Sequence, residues 1–303
     1  MSLEQTAGEI LEDTLKKAAN EGWENKSHLL KLLRRAWQFF ARTSNDGTPD
    51  GTRKPLRPIP ILGPSGAGKS TFARILSGDV NALLDPPPYY SSSLSVETVP
   101  LLGEPGIELT VFPGEPRRLE SEFGQFTADL VKGAYRGVIL VVDYGYHAIK
   151  SVRVRDHYHT VFGEAKGKRK EFLPKLLTAH RQEELDLLTK LLPYLKTVAE
   201  KLWVLVVVLK QDLWVADQSR VEDYYERSGP WSVLMNDLRK AMSGKPFWLH
   251  TVYSCLHIQN YTTKDGSEII KRNTAGYDAV SQRKALTGLL EVFDALRAWE
   301  EQP

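Results

Sequence analysis

A chain of 303 residues, 42% hydrophobic and 26% charged, has an ordinary globular composition, which excludes disordered, fibrous and collagen-like classes. Its formal net charge of +2 gives no field for a polyanion, so nucleic acid is not an expected partner. With one cysteine, Cys255, the chain can form neither an intrachain disulfide nor a cysteine-based metal site. That suits a reducing cytoplasm.

Taken in chain order, Ala7–Arg42 carries apolar positions at helical spacing (Leu29, Leu33, Ala36, Phe40) with Lys31, Arg35 and Arg42 on the other face. Two helices broken near Asn20–Lys26 are predicted. Met1–Asn20 is amphipathic and charged, unlike a signal peptide, and no apolar run reaches the roughly 18 residues that a membrane-spanning helix needs. The turn-rich "TSNDGTPDGTRKP", Thr43–Pro55, separates this extension, residues 1–55, from one α/β domain over 56–303.

Within that domain, strands are predicted at Ile59–Leu62, Val96–Leu102, Ile107–Phe112, Gly137–Asp143, Trp203–Leu209 and Phe247–Tyr253. Helices begin near Lys69, Arg118, Phe172, Trp231 and Gln282. Strands alternating with helices imply crossover units and a mainly parallel six-stranded sheet with helices on both faces. The pair joined by "GEPG" is expected to be an antiparallel edge hairpin. An insertion spans about 144–171 and holds "DHYH", Asp156–His159, and the basic "KGKRKE". The former is a weak metal signal, and both read as solvated surface.

"GPSGAGKS", Gly63–Ser70, matches G-x-x-x-x-G-K-[ST] between an apolar strand and a helix, the setting a phosphate-binding loop requires. Glycines at Gly63, Gly66 and Gly68 let backbone N–H groups converge on phosphate oxygens, and the helix N-terminus adds partial positive charge. The candidate phosphate site comprises Gly63, Ser65, Gly66, Ala67, Gly68, Lys69, Ser70 and Thr71. Lys69 can reach the β- and γ-phosphates, and Ser70 can coordinate Mg²⁺.

Three later stretches, in order and spacing, resemble the remaining signatures of Ras-like small GTPases, P-loop proteins with a G-domain. The pattern is most similar to the Arf-like branch and the signal-recognition-particle receptor β subunit. "SLSVETVPL" (Ser93–Leu101) is similar to the run out of the first switch. "LTVFPGEP" (Leu109–Pro116) stands at D-x-x-G, with Gly114 as its glycine. "VLVVVLKQDLW" (Val204–Trp214) resembles a strand ending in N-K-x-D, and "YSCL" (Tyr253–Leu256) resembles the S-A-[KL] loop.

The resemblance implies GTP or GDP as ligand and Mg²⁺ as cofactor. Asp212 would accept two hydrogen bonds from guanine, Lys210 would lay its stem along the base, and Ser254 and the Cys255 backbone would touch the guanine oxygen. Read alone, "LKQDLW" is also a plain polar turn after a buried strand.

Two departures stand out. Leu209 replaces the asparagine that ties the base loop to the phosphate loop, and Val111 or Phe112 stands where an aspartate would hold the Mg²⁺ shell. Glu115 follows Gly114 in the place of a water-orienting glutamine, so the catalytic candidates are Lys69 and Glu115, with slow hydrolysis expected. Arg117 and Arg118 could offset the Glu115 charge, or simply be solvated residues opening a helix. For Mg²⁺, Ser91 or Ser92 would join Ser70; a polar turn after Pro86–Pro88 is the alternative. Asp143, ending the fourth strand, is an ordinary loop aspartate or a substitute for the missing Mg²⁺ aspartate.

The expected protein is a cytoplasmic GTP-binding switch or assembly factor with slow or partner-dependent hydrolysis. It would meet a protein partner through its switch segments and N-terminal helices, which could also dock in cis or on a bilayer. The alternatives are a pseudo-GTPase scaffold that binds nucleotide without turnover and an ATP-dependent small-molecule kinase.

Overall fold

The structure is a computed structural model that describes residues 58–77, 79, 95–100, 108–147, 149, 169–199, 201–258, 276–300 and 302. The N-terminal helices and linker, Ser91, Ser92, the "GEPG" connection, the "DHYH" stretch and the lysines at 166 and 168 lie outside the described residues.

Six strands form one sheet: β1 Ile59–Leu62, β2 Glu97–Pro100, β3 Glu108–Val111, β4 Gly137–Val142, β5 Leu202–Val208 and β6 Phe247–Tyr253. Their order is β2-β3-β1-β4-β5-β6. Every pairing is parallel except β2 with β3, which runs antiparallel with Glu97 opposite Val111. This is the mostly parallel sheet with an antiparallel edge pair that the sequence predicts.

The interior strands β4 and β5 read "GVILVV" and "LWVLVVV" and are buried along their whole length. Continuous apolar runs of this kind fit a strand covered on both faces. Alternate residues serve two cores. Ile139, Val141, Leu205 and Val207 pack under helices α1 (Lys69–Leu76) and α5 (Ala279–Glu300). Leu140, Val142, Val204 and Val206 pack under α2 (Pro116–Val131), α3 (Arg169–Thr197) and α4 (Pro230–Ala241).

Helix starts shift for local reasons. α2 and α4 open at Pro116 and Pro230, because proline at the first helical position gives up a donor that has no intrahelical partner. α5 opens three residues earlier than periodicity suggests, where Asp278 Oδ1 accepts the Ser281 N–H at 2.8 Å. Between β5 and α4 the chain makes short helical turns at Gln211–Trp214, Val215–Asp217 and Gln218–Glu222, and then a π turn at Asp223–Arg227. Among the described residues, no helix is long and apolar enough to cross a membrane.

Candidate functional site

All parallel strands present their carboxyl ends along one edge, where an open α/β sheet forms its crevice. At its centre, the loop from β1 to α1 passes so close to β4 that a Cβ on Gly63 would lie 2.0 Å from the Val141 carbonyl oxygen. Ser65 and Gly66 stand half-buried along the loop, Ala67 is buried, and Ser70 and Thr71 occupy the first turn of α1.

Lys69 is 6% exposed. Its ammonium turns back into the loop, donating to the Gly63 carbonyl at 2.8 Å and the Pro64 carbonyl at 2.9 Å. Burial pushes its pKa down to about 7, against the opposing pull of Glu97 and Asp143.

Gly114 crosses directly over this loop. A Cβ there would meet the Ser65 nitrogen at 2.3 Å and the Lys69 Nζ at 2.5 Å. The residues before it offer no carboxylate to the crevice: Val111 is fully buried, and Phe112 packs edge-on against Phe126 at 4.9 Å. The nearby carboxylate comes instead from β2, where Glu97 sits in register with Val111 and its charge acts on Lys69. Glu115 pairs with Arg118 at 3.3 Å, while Arg117 is exposed. Arg118 is therefore not a free solvated residue opening a helix.

The next strand ends build the other half of the edge. Leu209 is buried, and its side chain faces the α-carbon of Gly68, where an added Cβ would lie 3.0 Å from Leu209 Cδ1. An apolar contact thus stands where the resemblance expects an amide tie. Lys210, held at φ 59, supplies a polar tie: its Nζ donates to the Gly66 carbonyl at 2.8 Å and to the Tyr146 carbonyl at 2.8 Å. A non-glycine residue in this left-handed conformation costs energy, and such residues cluster at functional sites.

Asp212 is buried beside the β6 loop and accepts a hydrogen bond from the Cys255 thiol at 3.3 Å. Burial, and next the Asp212 charge, raise that thiol well above its usual range. Ser254 is anchored by its N–H to the Val208 carbonyl at 2.9 Å, yet its buried hydroxyl has no partner among the described residues. The structure thus brings Lys210, Asp212, Ser254 and Cys255 together, and joins them to Gly66 through Lys210.

Asp143 corrects the sequence reading. It is fully buried, forms an ion pair with Lys210 Nζ at 2.7 Å and bonds His147 Nδ1 at 3.2 Å. Burial alone would push its carboxyl up, but Lys210 and His147 outweigh it and hold it well below the usual range. It is not an ordinary solvated loop aspartate, because Oδ1 faces His147 and Oδ2 lies against the Lys210 ammonium.

Sequence reasoning missed the residues behind Asp143. Glu184 on α3 accepts from the backbone N–H of Asp143 at 3.2 Å and of Gly145 at 2.9 Å, and from Tyr225 OH at 2.6 Å. The Tyr225 oxygen in turn accepts the Tyr144 N–H at 2.9 Å. Tyr225 comes from the π turn, a local irregularity frequent at functional sites. No motif spacing joins these residues, since they meet only in the folded chain.

No family model matches the chain, and no curated protein matches it. Solved structures do. The signal recognition particle receptor SRβ-GTP/SRX complex from Chaetomium thermophilum matches at 16% identity and TM-score 0.36, over 66% of this chain and 90% of that one. The mammalian SRP receptor matches at 15% and TM-score 0.34, over 66% and 92%. An ADP-ribosylation-factor-like GTP-binding protein, the small COPII coat GTPase SAR1 from Encephalitozoon cuniculi in complex with GDP, matches at 11% and TM-score 0.39, over 96% and 97%. At these scores the likeness adds no weight to the fold, which rests on strand order and register.

Proposed function

We propose that this chain binds a guanine nucleotide with Mg²⁺ across the carboxyl edge of its sheet, and hydrolyses GTP slowly or only with a partner. The observation that carries this reading is the Lys210 ammonium on the Gly66 carbonyl. It fastens the base-recognition stretch to the phosphate loop, so one molecule with a base at one end and phosphates at the other spans both.

Asp212 accepts the guanine ring N–H and exocyclic amino hydrogens, a pair that adenine does not offer in that geometry. The unpartnered Ser254 hydroxyl supplies a donor toward the guanine oxygen, relieving the cost of leaving a buried polar group unmatched. Lys69 leaves its loop carbonyls for the β- and γ-phosphate oxygens. Mg²⁺ fits Ser70, in the first turn of α1, with Glu97 as the carboxylate that Val111 cannot be. When bound, the ion offsets negative charge on the phosphates.

Hydrolysis is slow because no aspartate on β3 holds the metal shell and because Glu115, next to Gly114, would repel a γ-phosphate. The Arg118 pair partly neutralises that repulsion. The nucleotide that co-purifies, identified by mass after denaturation, tests the reading. GDP or GTP is expected, and ATP or no nucleotide overturns it.

A second reading is a scaffold that holds nucleotide without turnover, favoured by the burial of Val111 and Phe112 in the core. Single-turnover hydrolysis that depends on Lys69 and Ser70 excludes it.

A further inference from the structure

We propose that His147, His180 and Glu183 form a binding site for a divalent transition-metal ion of the zinc class, at the junction of α3 and the loop after β4. The site is separate from the one for Mg²⁺ and does not depend on the nucleotide reading.

A ring nitrogen of each histidine and a Glu183 carboxylate oxygen lie within 4.8 Å of one another. His180 and Glu183 are one helical turn apart on α3, so they share a face. His147 arrives from the other element, with its Nε2 3.1 Å from Glu183 Oε2. The imidazoles are stacked with centroids 4.2 Å apart and planes tilted by 24°. Both are buried, whereas the Glu183 side chain is 51% exposed. An ion therefore has a route in from solvent past Glu183 and a dry pair of nitrogens behind it.

The orientation of the rings separates this cluster from a chance gathering. His180 Nδ1 lies 2.8 Å from the Gly145 carbonyl, which can only accept, so this nitrogen carries the proton and Nε2 keeps its lone pair. His147 Nδ1 lies 3.2 Å from the Asp143 carboxylate. Each ring thus has one nitrogen on a fixed carbonyl or carboxylate, and the other nitrogen of His147 faces Glu183. Metal-binding histidines are held in this way by their outer partners.

Two histidines and one carboxylate leave a fourth position for water, which suits Zn²⁺ or Co²⁺; Mg²⁺ prefers oxygen ligands throughout. Without an ion, both His147 nitrogens face carboxylates, which favour a proton on each. Binding replaces the Nε2 proton: the Nε2 lone pair forms a bond to the metal, the proton leaves to solvent, and Glu183 exchanges its N–H donor for the ion.

The adjacent trio of Asp143, His147 and Glu184 is a poorer cradle. Asp143 faces the Lys210 ammonium at 2.7 Å, and Glu184 already accepts three hydrogen bonds. Asp143 nevertheless links the two sites, since it touches both His147 and Lys210.

The test uses the full chain, stripped with a chelator, dialysed and titrated with Co²⁺ while visible ligand-field absorption is followed. One equivalent giving the band of a four- or five-coordinate ion is expected, displaced by Zn²⁺ and unaffected by excess Mg²⁺. His180→Ala and, as a half-exposed change that spares the core, Glu183→Gln should each weaken Co²⁺ binding by at least about tenfold. Far-UV circular dichroism of each variant confirms that it is folded. The absence of a band in the native chain overturns the proposal, as does a band that survives unchanged in folded Glu183→Gln or one that excess Mg²⁺ removes.

Discussion

The two halves of the sheet's carboxyl edge are built to different standards. On the base side, Lys210 holds Gly66, Tyr146 and Asp143, and Asp212 is buried against Cys255. On the phosphate side the loop is complete, but the end of β3 puts Val111 and Phe112 into the core and pairs Glu115 with Arg118. Holding a nucleotide and cleaving it make separate demands on a fold. A chain can keep the polar ties that fix the first while burying the positions that serve the second.

The sharpest way to break this contrast is Lys69→Ala, which removes the charged donor proposed for the phosphates. Guanine nucleotide binding, followed by fluorescence titration with a labelled GDP, should fall by about a hundredfold or more. Next is Asp212→Ala, which deletes the two charge-assisted hydrogen bonds proposed to reach the base. Preference for GDP over ADP should shrink by about 3 kcal/mol, roughly a hundredfold, read from the ratio of the two Kd values. Tyr225→Phe tests the support beneath the base side: Glu184 and the Tyr144 N–H each lose a buried partner. Chemical denaturation should report a loss of about 2 kcal/mol. Glu97→Gln probes the weaker half, where about tenfold more Mg²⁺ should be needed to hold GTP with GDP binding little changed.

The smallest effect is a proton. With Lys69 held down to about 7 in the free chain, a bound phosphate restores its charge. Nucleotide binding at pH 8 should therefore take up close to one proton, visible as a buffer-dependent enthalpy in calorimetry. The sign follows from which state binds more protons. The complex binds more, so affinity falls as pH rises above 7; the unfolded chain also binds more, so the free protein gains stability from about 7 toward the ordinary lysine value of 10.5.

Much of the fold was legible because its signals are local. β6 runs from Phe247 to Tyr253 as its apolar composition predicts, and the near-continuously apolar β4 and β5 are both interior strands of the sheet. The segment 211–227 was not legible. Its turns are each shorter than the window over which helical periodicity can be read. Within the candidate site, the phosphate loop was readable because one short stretch with Gly63, Gly66 and Gly68 makes it. The Glu184–Tyr225–Asp143 network was not, because its members are about 40 residues apart or more in the chain and meet through packing of α3 on the sheet. Asp143 shows the cost of reading a residue without its neighbours: a lone aspartate at a strand end gives no hint that Lys210 and His147 will neutralise it.

One consequence follows from the contact of Leu209 with Gly68. Among the described residues, the two loops are joined by Leu209 against Gly68 and by the partly buried, ion-paired Lys210. Added electrolyte screens exposed charges over about 10 Å at 0.1 M but reaches buried pairs poorly, and excluded salts such as sulfate strengthen apolar contacts. The junction of the two loops is therefore weakly sensitive to ionic strength, and the chain should keep their spacing in dilute buffer and in brine alike.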